Sequence, residues 1–126
     1  YEITWVTGVQ TCALPIYTGL WSGKAIEAAQ HYCDVRIAAS SKASGFDRIP
    51  DVTDWNLSPN AAYLHYTENE TEHGVQFVDA PDVLAPLVCD ACSSLLSKPI
   101  DVARHVLVYA ATQKNMGAAG LTVVRR

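Results

Sequence analysis

The run Val106-Leu107-Val108-Tyr109-Ala110-Ala111 constrains the fold of this chain more than any other segment. It is apolar without a break and is closed by the polar residues Gln113 and Lys114. A strand with one face in water alternates apolar and polar side chains. A strand covered on both faces has no polar face to show, and such strands belong to the parallel sheets of α/β folds. Leu87-Val88-Cys89, closed by Asp90, repeats the pattern. Further strands are predicted over residues 35–39, 61–66, 75–77 and 121–124. A helix is predicted over residues 22–32, with Ser22 as its N-cap and Ala25, Ile26, Ala29 and Tyr32 on one face. Residues 40–59 and 67–74 read as a loop and a polar turn, and residues 93–97 as a helical turn before Pro99. The expected architecture is therefore α/β, a mostly parallel sheet with flanking helices.

The chain has 126 residues, enough for one small domain. Hydrophobic residues make up 49% and charged residues 17%, an ordinary balance for a soluble globular chain. The net charge is -4 and no basic patch stands out, which excludes nucleic acid as a partner. A long uncharged stretch, residues 4–23, contains Gln10, Pro15 and three glycines and follows no positive region. It fits neither a membrane span nor a signal peptide. Of the four cysteines only Cys89 and Cys92 are closely spaced. A zinc site would need a second close pair, and the apolar run ending at Cys89 points to burial rather than redox access. The expectation is reduced thiols in the cytoplasm and no metal.

Residues 6–16, Val-Thr-Gly-Val-Gln-Thr-Cys-Ala-Leu-Pro-Ile, show neither helical nor strand periodicity. The run resembles the in-frame translation of a common short-read sequencing adapter. Residues 1–16 are therefore expected to stand outside the fold, and residues 17–126 to form a fragment of one domain.

Three polar clusters follow strand ends: Asn69-Glu70-Thr71, Asp90 and Gln113-Lys114. Parallel strands would bring all three to one sheet edge, where open α/β sheets bind ligands. A lysine amine condenses with an aldehyde cofactor. A cofactor of the pyridoxal phosphate type needs such a lysine, a carboxylate at its ring nitrogen, a stacking surface and donors for its phosphate. Lys114, Asp90, Trp21 and Gln113 can supply these in turn, and Thr71 can bond a ring substituent. Taken singly, each has an ordinary reading: Lys114 and Thr71 as solvated turn residues, Asp90 as a turn cap, Trp21 as core. Glu70 and Glu72 are expected in solvent, and His65 as a structural histidine within a strand.

The chain resembles phosphoserine aminotransferases, fold-type-I, pyridoxal-phosphate-dependent enzymes, from Thr18 to Val124. The match is tightest at Leu96-Ser97-Lys98-Pro99-Ile100-Asp101-Val102 through Tyr109 to Gln113-Lys114-Asn115, and at Ala119-Gly120-Leu121-Thr122. The segment from His65 to Phe77 and Trp21 with Ala25-Ile26-Glu27-Ala28-Ala29 extend it. The resemblance implies a partial large domain in which Lys114 carries the cofactor as a Schiff base and shuttles the proton. Asp90 would pair with the pyridinium, Trp21 stack on the ring, Thr71 bond its hydroxyl and Gln113 help hold the phosphate. The implied reaction moves the amino group of glutamate to 3-phosphohydroxypyruvate, in serine biosynthesis, by a homodimeric, cytoplasmic parent protein. Cys92 stands where the family usually has serine, Lys98 replaces a frequent arginine, Ala111-Thr112 replace a common Gly-Ala pair and Ala118 a common proline. The family's phosphate loop, substrate arginines and small domain have no counterpart here, so the chain is expected to be inactive alone. Two other readings remain: a different fold-type-I enzyme, or a non-catalytic α/β binding module.

Overall fold

The structure, a computed structural model, describes residues 13–126. Its strands are β1 (Ala13–Tyr17), β2 (Ala39–Ser40), β3 (Tyr63–Thr67), β4 (Asn69–Glu70), β5 (Val75–Gln76), β6 (Leu87–Asp90), β7 (His105–Ala111) and β8 (Thr122–Arg125). One α-helix among the described residues, α1 (Leu20–Gln30), follows β1. Six strands form one sheet in the order β2-β1-β3-β6-β7-β8, and β4 and β5 form a separate hairpin. Every neighbouring pair in the large sheet is parallel except β7 and β8, which run antiparallel.

The unbroken apolar runs have the predicted consequence. Leu14, Ile16, Leu64, Tyr66, Cys89, Val108 and Ala110 alternate onto one face and join Phe77, Ala38 and Ala91 in the core. Each Leu or Ile fully buried there contributes roughly 1.5–3 kcal/mol. Tyr66 and Phe77 meet edge to face, with ring centres 4.9 Å apart. The predicted flanking helices are replaced on this face by loops. Ile49 and Trp55, Ala80 and Val83, and Leu95 and Ile100 pack against the core from the connections. Prolines at 50, 59, 81, 86 and 99 punctuate those connections and suit them to irregular cover rather than helix. The opposite face carries His65, Thr67, Val88, Asp90 and Tyr109, with α1 laid across it.

Several expectations need correction. Ala13–Ile16, expected outside the fold, form most of β1 and are buried between β2 and β3. The period was obscured because the strand is apolar on both faces and Pro15 removes a ladder donor. The rest of that run lies outside the described residues. The helix begins at Leu20 with Gly19 as its N-cap, two residues before the predicted start. Tyr32 lies beyond its end and is 90% exposed, so it is not part of the buried face. The strand predicted over residues 35–39 shrinks to β2, with Val35 forming an isolated bridge to Ala13.

A buried ion pair ties the loops to the sheet. Glu68, only 4% exposed, meets Lys98 at 3.0 Å and accepts from the Ser94 hydroxyl. The Lys98 ammonium also donates to the carbonyls of Phe77 and Val78 at 2.7 and 2.9 Å. An ammonium has three donors, and all three are used. One point charge clasps the exit of β3, the exit of β5 and the turn after β6.

Candidate functional site

The strand register creates the site. Thr67 on β3 pairs with Asp90 on β6, which pairs with Tyr109 on β7. Paired residues of parallel strands point to the same face, so these three side chains stand side by side, at the ends of β3 and β6 and two residues before the end of β7. Above them opens a cavity of about 160 Å³. Trp21, Thr71, Asp90, Gln113 and Lys114 all line it, together with Thr67, Asn69, Cys92 and Ser93. The residues singled out in the sequence thus arrive at one place from α1, the β4–β5 hairpin, β6 and the turn after β7. The three predicted polar clusters meet here through Asn69 and Thr71, Asp90, and Gln113 and Lys114, whereas Glu70 of the first cluster does not line the cavity.

Each side chain has a local reason for its position. Asp90 ends β6, and its Oδ1 accepts the Cys92 amide at 2.9 Å. Its ordinary role as a turn cap is therefore fulfilled. Trp21 is 41% exposed and lies along the cavity wall rather than in the core. Lys114 and Gln113 are exposed in the turn where Met116 and Gly117 donate to the Thr112 carbonyl at 3.0 and 2.9 Å. Asn69 and Ser93 fasten the hairpin to the turn after β6 through two hydrogen bonds of 2.9 Å.

Cys89 and Cys92 do not form a unit. Cys89 is fully buried in the core, whereas Cys92 lines the cavity and accepts the Ala111 amide at 3.3 Å. Burial pushes both thiols up, Cys89 to about 12 and Cys92 to about 11, which keeps them protonated and weakly nucleophilic near neutrality. Among the described residues no group of His, Cys, Asp and Glu is arranged to hold a metal ion, and no helix is long and apolar enough to cross a membrane.

The structure corrects the reading of Glu70 most sharply. It is fully buried, not solvated. Its Oε2 accepts the Trp21 amide at 2.9 Å and its Oε1 the Ser22 amide at 2.8 Å. The first amides of a helix have no partner within it, and the helix dipole favours an anion there. Glu70 therefore caps α1 from 48 and 49 residues away in sequence. Ser22, expected as the N-cap, instead sits inside the first turn and takes the amides of Thr18 and Gly19 on its Oγ at 2.9 and 3.0 Å. Gly19 is required by this approach: a Cβ there would lie 2.7 Å from the Glu70 carboxylate and 2.8 Å from the His73 ring. Glu70 thereby fixes the backbone that carries Trp21.

A match to the class-V aminotransferase family model runs over residues 8–125. The chain belongs to that family. Phosphoserine aminotransferase from Acinetobacter baumannii is 52% identical over 110 residues, covering 86% of this chain and 31% of that one. The chain thus spans about a third of the length of the curated relatives it matches. The solved phosphoserine aminotransferase of Bacillus circulans subsp. alkalophilus superposes with a TM-score of 0.85 at 45% identity, over 91% of this chain and 32% of that one. A phosphoserine aminotransferase of Trichomonas vaginalis solved with PLP bound has a TM-score of 0.78 at 34% identity, over 90% and 33%. The α/β fold with its mostly parallel sheet is that of this class-V segment.

The residues around the cavity fit a substituted pyridine. A cavity of about 150 Å³ accommodates a benzene-sized ring, so about 160 Å³ suits one aromatic heterocycle. The Thr67 hydroxyl, buried at the cavity floor, has no partner among the described residues. Thr67 escaped the sequence reading because no motif marks it. The available signal was alternation, which puts it on the His65 face of β3. Replacing Glu70 by alanine is expected to lower stability by about 2 kcal/mol, through loss of a doubly bonded cap. Glutamine should cost less, since its one carbonyl oxygen still accepts. Urea denaturation checks both, and an unchanged midpoint for the alanine variant would show that the carboxylate is not the cap.

Proposed function

We propose that the cavity is the pyridoxal phosphate seat of a phosphoserine aminotransferase large domain. The observation that carries this reading is the convergence of an amine, a carboxylate, an indole and hydroxyl groups around one ring-sized space. When bound, the cofactor supplies an aldehyde that condenses with amines and a ring that accepts the electron pair freed at the substrate α-carbon. The residues of this chain do the rest. Lys114 is the amine that anchors the aldehyde and then carries the proton at its Nζ. Asp90 holds a proton on the ring nitrogen. Trp21 covers one ring face and excludes water from it. Thr71 bonds the ring hydroxyl, Gln113 bonds the phosphate, and Thr67 is an additional hydroxyl at the floor.

The likeness to phosphoserine aminotransferases supports glutamate and 3-phosphohydroxypyruvate as the substrates of the whole protein, working as a cytoplasmic homodimer in serine biosynthesis. We also retain an adapter origin for residues 1–16. Ala-Leu-Pro-Ile is apolar and of suitable size for the slot between β2 and β3, which is all that packing there demands.

Titration with pyridoxal phosphate, followed by absorbance, tests the assignment. Lys114→Ala is expected to weaken binding about a hundredfold, roughly 2.8 kcal/mol, and to remove the spectral shift of the bound aldehyde. Equal binding by both chains would refute the role of Lys114. Phosphoserine formation by the 126-residue chain alone is expected to be undetectable, because it spans only about a third of the length of the relatives it matches. Clear turnover in a coupled assay would contradict that.

A further inference from the structure

Behind Asp90, on the side of the sheet covered by α1, lies a second pair of polar groups that the proposed chemistry does not use. The Tyr109 hydroxyl stands 2.9 Å from His65 Nε2, and the two rings stack with centres 6.0 Å apart. Tyr109 is the register partner of Asp90 on the same face of the sheet, and burial together with the neighbouring Asp90 carboxylate keeps its phenol protonated. His65 is 8% exposed, and its Nδ1 is buried without a partner.

We propose that His65 and Tyr109 are positioning residues for Asp90, linked in a one-way hydrogen-bond chain from His65 Nε2–H to the Tyr109 hydroxyl to the Asp90 carboxylate. The proposal rests on the reading of Asp90 as the partner of the cofactor ring nitrogen. Two independent arguments give the direction. The phenol has one proton and two neighbours that could accept it. A bond to a carboxylate is charge-assisted and about twice as strong as one between neutral groups, so the proton points to Asp90. The phenol oxygen must then accept from Nε2–H. The second argument comes from Nδ1. If Tyr109 donated to His65 instead, neutral His65 would carry its proton on Nδ1, as a buried donor with no acceptor. With the proton on Nε2, Nδ1 is merely an unused acceptor, which is less costly to bury. Burial favours neutral His65, against the opposing fields of Asp90 and Glu70, and burial also holds Tyr109 in its phenol form.

The core face supplies an internal contrast. There Tyr66 Oη lies 2.7 Å from His105 Nε2, but His105 Nδ1 is 2.9 Å from the Asp101 carbonyl. A carbonyl only accepts, so His105 carries its proton on Nδ1 and takes the Tyr66 proton on Nε2. Two Tyr–His pairs on opposite faces thus have opposite polarity. Only the pair beside Asp90 delivers a donor to it.

Chemically, the chain occupies part of the Asp90 acceptor capacity from behind and fixes the carboxylate for the ring nitrogen in front. It would act on a ligand only through that nitrogen. The test uses the full chain. Long-range proton–nitrogen correlation spectra at neutral pH are expected to show His65 as the Nε2–H tautomer and His105 as the Nδ1–H tautomer. An Nδ1–H tautomer for His65 overturns the proposal, and this measurement needs no variant and no cofactor. The second arm compares pyridoxal phosphate with its carbocyclic analogue, in which CH replaces the ring nitrogen. Tyr109→Phe is expected to weaken pyridoxal phosphate about tenfold and to leave the analogue unchanged. Equal weakening of both ligands, or of neither, overturns a role through Asp90. If the unaltered chain binds neither ligand, the cofactor reading fails, and the His65 tautomer still decides whether the hydrogen-bond chain exists.

Discussion

Thr67, Asp90 and Tyr109 are successive partners across three parallel strands, and this register determines where every other group at the site can be. Parallel strands end level only if their pairing is in step, and a slip of one residue would turn each side chain to the other face. The large apolar side chains of the core hold that register. Leu64, Cys89 and Val108 occupy one face, so the residues next to them in sequence must occupy the other. Had the ladder slipped, Asp90 would point into the core and Cys89 into the cavity. The chemistry of the site is therefore a by-product of packing on the opposite face.

What the sheet cannot position by itself, Glu70 positions. Trp21 lies on a helix that merely crosses the sheet, and a helix can rotate or slide. A buried carboxylate bonded to two consecutive amides at the helix start removes that freedom. Burying a charge is costly unless it is fully bonded, and here the dipole and both amides compensate it. The same carboxylate belongs to the hairpin that bears Thr71, so the wall and the rim of the cavity are fixed to each other. Gly19 is the accommodation that lets the two backbones approach so closely.

The sequence made the sheet and most of the site legible, because both depend on local pattern. Unbroken apolar runs marked β6 and β7, and the polar residues that closed them were the cavity residues Asp90, Gln113 and Lys114. The parts that stayed hidden depend on contacts distant in sequence. Glu70 looks like a turn residue in an acidic hairpin, and nothing near it announces a helix 48 residues earlier. Thr67 and His65 are polar residues in a strand, and only the ladder shows which strand ends flank them. β1 was missed because apolar residues on both faces and a proline erase its period. Loops stand in place of flanking helices on the core face, where prolines at 50, 59, 81, 86 and 99 punctuate the connections.

The central claim is that Lys114 is the amine presented to an aldehyde cofactor, and a chemical trap tests it most directly. The chain would be loaded with pyridoxal phosphate, reduced with borohydride and mapped by peptide mass spectrometry. The account predicts the reduced adduct on Lys114 alone among Lys24, Lys42, Lys98 and Lys114. An adduct spread evenly over the exposed lysines, or absent from Lys114, would contradict it.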